Sequence, residues 1–268
     1  MRTDTFDPAE PVRDEAVRLS NVSVRFGALT ALDGASFAVP RGGITGLIGR
    51  NGAGKSTCIG AIAGLIQPDS GNVEVFGSPV HESLIEILRR TGFLLSDPAL
   101  FAYLTPRETL LFLAEAYNVP KLDAAQRTDD LIAFFELGEA ADRLVDGFST
   151  GMQKRVGIAA ALIHSPELLV LDEPFEALDP LTVRKLKRLL LDYAAGGGSV
   201  LLSSHLLDAV DEICDRVVIL DQGRVVIAGP TDGAKATVSR DLGSATLEEL
   251  YAAMVPSGGD IALEWLTG

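Results

Sequence analysis

Gly49, Arg50, Asn51, Gly52, Ala53, Gly54, Lys55 and Ser56 follow the pattern G-x-x-x-x-G-K-S/T. Glycines in such a loop let successive backbone N–H groups face one anion, and a helix starting directly after it adds the positive end of its dipole. Lys55 supplies a full positive charge for β- and γ-phosphates. The Ser56 hydroxyl, with Thr57 next in line, is placed to serve a phosphate-bound Mg²⁺. A second stretch, "LLVLDEP", is an apolar run ending in Asp172 and Glu173. Alone it reads as a strand with a solvated acidic end. Beside a phosphate-binding loop, Asp172 can reach the Mg²⁺ shell and Glu173 can orient or deprotonate an attacking water.

The elements needed to hold these residues are legible in the periodicities. "GITGLIG" (43–49) is an apolar strand entering the glycine loop, and Lys55 to Leu65 has helical spacing that stops at Gln67-Pro68. "VRLSNVSVRFG" and "GASFAV" alternate as strands, and "GNVEVFG" and "TGFLLS" follow. Helical segments dominate from about Thr105 to His164. Strand signals return at "ELLVLD", "SVLLSS", "DRVVIL" and "GRVVIAG" with helices between, and "SATLEELYAAMV" predicts one more helix. Near-continuous apolar strands alternating with helices indicate an α/β protein with a mostly parallel sheet covered on both faces. Open sheets of that kind bind ligands at the carboxyl ends of their strands, where Asp172 falls.

The bulk composition excludes other classes. The 268 residues carry 23 basic and 37 acidic side chains, a formal charge of −14. A field of that sign opposes duplex nucleic acid, so no nucleic-acid partner is expected. Two cysteines, Cys58 and Cys214, form no CxxC or Cys/His cluster and read as buried thiols. The polar start "MRTDTFDPAEPVRDEA" has no apolar segment of a secretory signal. No apolar run reaches the ~18 residues a membrane span needs, so a membrane role requires a partner.

With both motifs in view, residues 16–230 resemble the ATP-binding cassette (ABC) ATPases, the nucleotide-binding subunits of ABC transporters. The distinguishing mark is "FSTGM" (148–152), similar to the family signature LSGGQ and placed before Asp172 in the family's order. The resemblance implies a P-loop core with an N-terminal antiparallel β subdomain and an inserted helical subdomain at about 97–164. It leaves 1–15 as a disordered leader and 231–268 as a C-terminal helical extension. It implies ATP and Mg²⁺ as ligands, with Ser56 and Asp172 on the metal and Glu173 and the switch histidine His205 in catalysis. Ser149 and the backbone of Gly151 would be presented to the γ-phosphate held by a second subunit, with Asp179 bridging the two. A monomer would then hold two half-sites and no complete one. The further partners implied are a second ABC ATPase subunit, either a copy or a paralogue, and a separate transmembrane permease. That places the chain in the cytoplasm, peripheral to the inner face of the cell membrane.

Phe26 matches the aromatic that stacks on adenine, although a core ring would look the same. Phe101 and Tyr103 are either permease contacts or core. Thr150 and Met152 depart from the signature, in a form that resembles subunits serving export-type permeases. The glutamine that the resemblance leads one to expect at the end of the apolar strand "TGFLLS" is replaced by Ser96, followed by Asp97. A serine is too short for the same direct contact, which leaves a bridging water, Asp97, or a looser metal site. Two rival classes remain: a permease-free ABC protein acting on ribosomes or nucleic acid, and a regulatory subunit with little hydrolysis.

Overall fold

The computed structural model describes residues 14–96, 100–237 and 246–255; most of the expected leader, together with Asp97 and Trp265, lies outside the described residues. The chain opens with β1 (Glu15–Phe26), β2 (Leu29–Pro40) and β3 (Gly43–Ile48), followed by α1 (Lys55–Ile62). Next come β4 (Ser70–Val75), β5 (Ser78–Pro79), α2 (Val80–Arg90) and β6 (Thr91–Leu94). The helical block holds α3 (Pro106–Ala116), α4 (Lys121–Phe134), two short 3-10 turns and α5 (Thr150–Leu162). Then β7 (Leu168–Leu171), α6 (Pro180–Ala195), β8 (Ser199–Ser204) and α7 (Leu207–Ile213) alternate. The described chain closes with β9 (Arg216–Asp221), β10 (Arg224–Pro230), α8 (Thr231–Ala236) and α9 (Leu247–Met254).

Two sheets result. A four-stranded antiparallel sheet has the order β2-β1-β4-β5, and a six-stranded sheet has the order β10-β9-β3-β8-β7-β6. Every pairing in the larger sheet is parallel except that of the edge strand β10 with β9. Its inner strands are buried on both faces, and their period-2 alternation divides them between two cores. Ile44, Ile48, Leu169, Leu171, Val200, Leu202, Val217 and Ile219 share a core with the helical block and with α6, α7 and α9. Leu47, Leu168, Val170, Leu201, Val218 and Leu220 face α1 and the antiparallel sheet. Complete burial of each such side chain contributes about 1.5–3 kcal/mol, so one sheet anchors both layers.

At the amino ends of the parallel strands, Arg90 and Arg41 flank the Phe76 ring, at 4.0 and 4.7 Å from its centroid. Arg90 also makes a two-pronged pair with Glu167 at 2.7 and 2.8 Å, joining the two sheets at the end away from the glycine loop. In the helical block, α3 starts at a reciprocal cap between Thr105 and Glu108 with Pro106 in its first turn. Among the described residues no helix is long and apolar enough to cross a membrane.

Candidate active site

The glycine loop leaves β3 at the carboxyl end of the parallel sheet and turns into α1. Its shape is enforced by close approach. A Cβ on Gly49 would lie 2.7 Å from the Leu220 carbonyl oxygen, and Gly54, at φ 108°, would place one 2.6 Å from that of Ala31. Only glycine fits both positions. No side chain caps α1, so its first N–H groups stay available to an anion. Arg50, Asn51, Gly52 and Ser56 are exposed, Thr57 is half-buried, and Ala53 is buried under the loop.

Lys55 runs back across this loop and is only 6% exposed. Its Nζ donates to the Gly49 carbonyl at 2.7 Å and lies 3.3 Å from Oε1 of Glu173. The other carboxylate oxygen of Glu173 is 2.9 Å from Nδ1 of His205 and accepts its backbone N–H at 3.3 Å. Three residues proposed from separate stretches of sequence therefore converge on one another. Glu173 takes φ 47°, the left-handed region that a non-glycine residue adopts only where its surroundings impose it.

Asp172 is 1% exposed, and two hydroxyls hold it. Ser203 donates to Oδ1 at 2.5 Å and accepts the Glu173 N–H at 2.9 Å, while the Ser96 hydroxyl donates to Oδ2. Ser96 thus meets Asp172 directly, a contact the sequence did not suggest. Sequence reasoning also passed over Ser203. Its signal was a polar tail, Ser203-Ser204, on an otherwise apolar strand that ends beside His205. Among the described residues no cluster of three or more His, Cys, Asp or Glu could cage a metal. One carboxylate and one hydroxyl are the donor set suited to Mg²⁺ that arrives with nucleotide phosphates and keeps several waters.

Ser149 caps α5, accepting the Met152 N–H at 3.3 Å, and both Ser149 and Thr150 are exposed. Gly151 lies against the turn after Glu173: a Cβ there would be 2.5 Å from the Ala177 carbonyl oxygen. Asp179 caps α6 through the N–H groups of Leu181 and Thr182 and pairs with Arg155. Hydrogen bonds from the Thr182 hydroxyl and amide, with Arg155 beside them, push its pKa down to about 2. No hydrogen bond or ion pair among the described residues joins Ser149 or Gly151 to Lys55, Glu173 or His205.

Phe26 ends β1 and is 52% exposed, and Tyr103 is 87% exposed. Phe101 is 46% exposed, edge-on to Phe112 at 5.2 Å. None of the three is a core ring. Cys58 and Cys214 are free and buried, and burial pushes the Cys58 thiol up to about 12.

An uncapped helix start behind a glycine loop, facing an Asp-Glu strand end, is the architecture of a P-loop nucleoside triphosphatase. The family described as ABC transporter matches residues 32–176. The bacitracin transport ATP-binding protein BcrA of Bacillus licheniformis is 37% identical over 82% of this chain and 71% of its own. The daunorubicin resistance ATP-binding protein DrrA3 of Streptomyces coeruleorubidus is 34% identical over 95% of this chain and 79% of its own. A solved ATP-binding subunit of an ABC transporter superposes with a TM-score of 0.83 at 33% identity, covering 89% of this chain and 99% of that one. A dimeric ATP-binding cassette in a post-hydrolysis state, bound to ADP and Pi, gives 0.73 at 26% identity over 80% and 98%. This chain belongs to the ABC transporter family, as an ATP-binding subunit with ATPase activity.

Proposed function

We propose that two copies of this chain, or one copy and a paralogue, clamp two ATP molecules between the glycine loop of one subunit and Ser149 and Gly151 of the other. Closure drives export through a separate membrane permease. The observation that carries this reading is the separation inside one chain: Lys55, Glu173 and His205 converge, while no hydrogen bond or ion pair among the described residues joins Ser149 or Gly151 to them. A helix start of that kind is suited to an anion that another subunit brings. The dimeric, ADP- and Pi-bound cassette among the similar structures supports the pairing. The names of the bacitracin and daunorubicin relatives support transport and give no support to a ribosomal role.

Within the site, the loop amides from Gly49 to Gly54, Lys55 and Thr57 hold the phosphates, and Phe26 offers its exposed ring to adenine. Ser56 and Asp172 would hold the Mg²⁺ that accompanies the nucleotide, whose charge neutralises the phosphates. Glu173 takes the proton of the attacking water, and His205 keeps that carboxylate aimed. Asp179 lies between the subunits, and Phe101 and Tyr103 face the permease.

The test is to purify tagged Glu173→Gln protein with ATP and Mg²⁺ from detergent-solubilised membranes and identify its companions by mass spectrometry. A multi-span membrane protein in near-equal amount is expected. Ribosomal proteins or nucleic acid in its place would overturn the transporter reading and leave the ATP site standing.

A further inference from the structure

Three contacts tie α5 to the turn that follows β7. Gly151 abuts the Ala177 carbonyl, Arg155 pairs with Asp179, and between them Lys154 reaches inward. Lys154 is 2% exposed, and its Nζ donates to the backbone carbonyl of Glu173 at 3.2 Å. Burial pushes its pKa below the ordinary lysine range, against the charges of Glu176, Asp172 and Glu173, which favour the ammonium. An apolar side chain of the same length would fill this space without that desolvation. The ammonium instead grips the one non-glycine residue of the site whose backbone is left-handed, and Ala177, at the far end of the same turn, is left-handed too. Such conformations persist only where the surroundings over-determine them.

We propose that Lys154 is a positioning residue. It holds the Glu173 carbonyl, and with it the turn that aims the carboxylate at Lys55 and His205, and so makes the seating of α5 and the aim of Glu173 a single variable. This inference rests on the catalytic reading of Glu173 and adds a route between the two sites of a dimer. The helix that one chain presents to its partner's nucleotide is latched, through Lys154, to the carboxylate that acts on its own.

The test compares Lys154→Met, of equal length and uncharged, with Lys154→Arg in the full chain. Readouts are steady-state ATP hydrolysis, thermal unfolding, and amide hydrogen exchange of the nucleotide-free protein. For Lys154→Met, kcat should fall roughly 10- to 100-fold, as misplacing a reacting group by about 1 Å does, with KM within about twofold. Exchange should accelerate in 173–177 and stay unchanged in 49–56, with no loss of Tm, and Lys154→Arg should recover both turnover and protection. Unchanged exchange in 173–177 would overturn the tether, as would an equal rise in 49–56 or a fall in Tm that arginine does not reverse. If the methionine variant fails to fold, Lys154→Gln is read by the same criteria. A Glu173→Gln control separates the two ideas: near-normal hydrolysis there would refute the role of Glu173, while the exchange result still decides the tether.

Discussion

Lys55, Glu173 and His205 pair with one another at the rim of one chain, with Asp172 held beside them by Ser203 and Ser96, whereas Ser149 and Gly151 stand at a helix start whose cap satisfies only its own first turn. The first region pairs its charges within its own chain. On the proposed reading, the second gains from an anion that its own chain does not supply. In physical terms the difference is one of desolvation: buried charges must be paired where they stand, while an exposed helix start can wait for a partner at little cost.

The comparison breaks most severely at Glu173. Glu173→Gln removes the carboxylate that both Lys55 and His205 address, and turnover should fall about 10²- to 10⁴-fold while ATP stays bound; hydrolysis close to that of the native chain would reject it as the catalytic base. Lys55→Met strikes the same region from the cation side. Losing a charge-assisted contact of about 1.5–3 kcal/mol should weaken ATP binding roughly 10- to 150-fold in a fluorescent-nucleotide titration. Ser149→Ala tests the other region. Nucleotide affinity of the dilute monomer should be unaltered, while turnover at dimer-forming concentrations drops about tenfold, in line with one lost hydrogen bond near 1.4 kcal/mol. A changed monomer affinity would show that the two regions are not separate.

The smallest effect concerns Asp179. Its folded pKa is depressed to about 2, so its contribution is fully present above the unfolded carboxylate value near ~3.9 and is lost as pH falls toward 2. The stability gap between native and Asp179→Asn protein, followed by circular dichroism, should therefore close between those two pH values. A gap that persists at pH 2 would assign the cap to something other than the ionised carboxylate.

Much of this was legible before any coordinates. The strands β3, β7, β8 and β9 announce themselves as apolar runs because both of their faces are buried, and the glycine loop is fixed by φ and close approach that no other residue tolerates. Ser149 as a helix cap follows from residue type alone. What stayed hidden depends on strand order and on contacts remote in sequence. Periodicity does not reveal that β3 lies between β9 and β8, and so does not reveal that Lys55 and Glu173 meet. Lys154 reads as one more solvated lysine on a helix, since lysines are rarely buried. Phe26, Phe101 and Tyr103 were ambiguous because an exposed ring and a core ring are spelled the same way.

On the proposed reading of Lys55, its contact with Glu173 turns nucleotide capture into an exchange. An arriving phosphate displaces an internal competitor from the lysine, so the measured affinity is a difference between two attractions and not the strength of one. On the same reading, that event leaves the Glu173 carboxylate to His205 and to water, so that loading the site and readying its proposed base become one step.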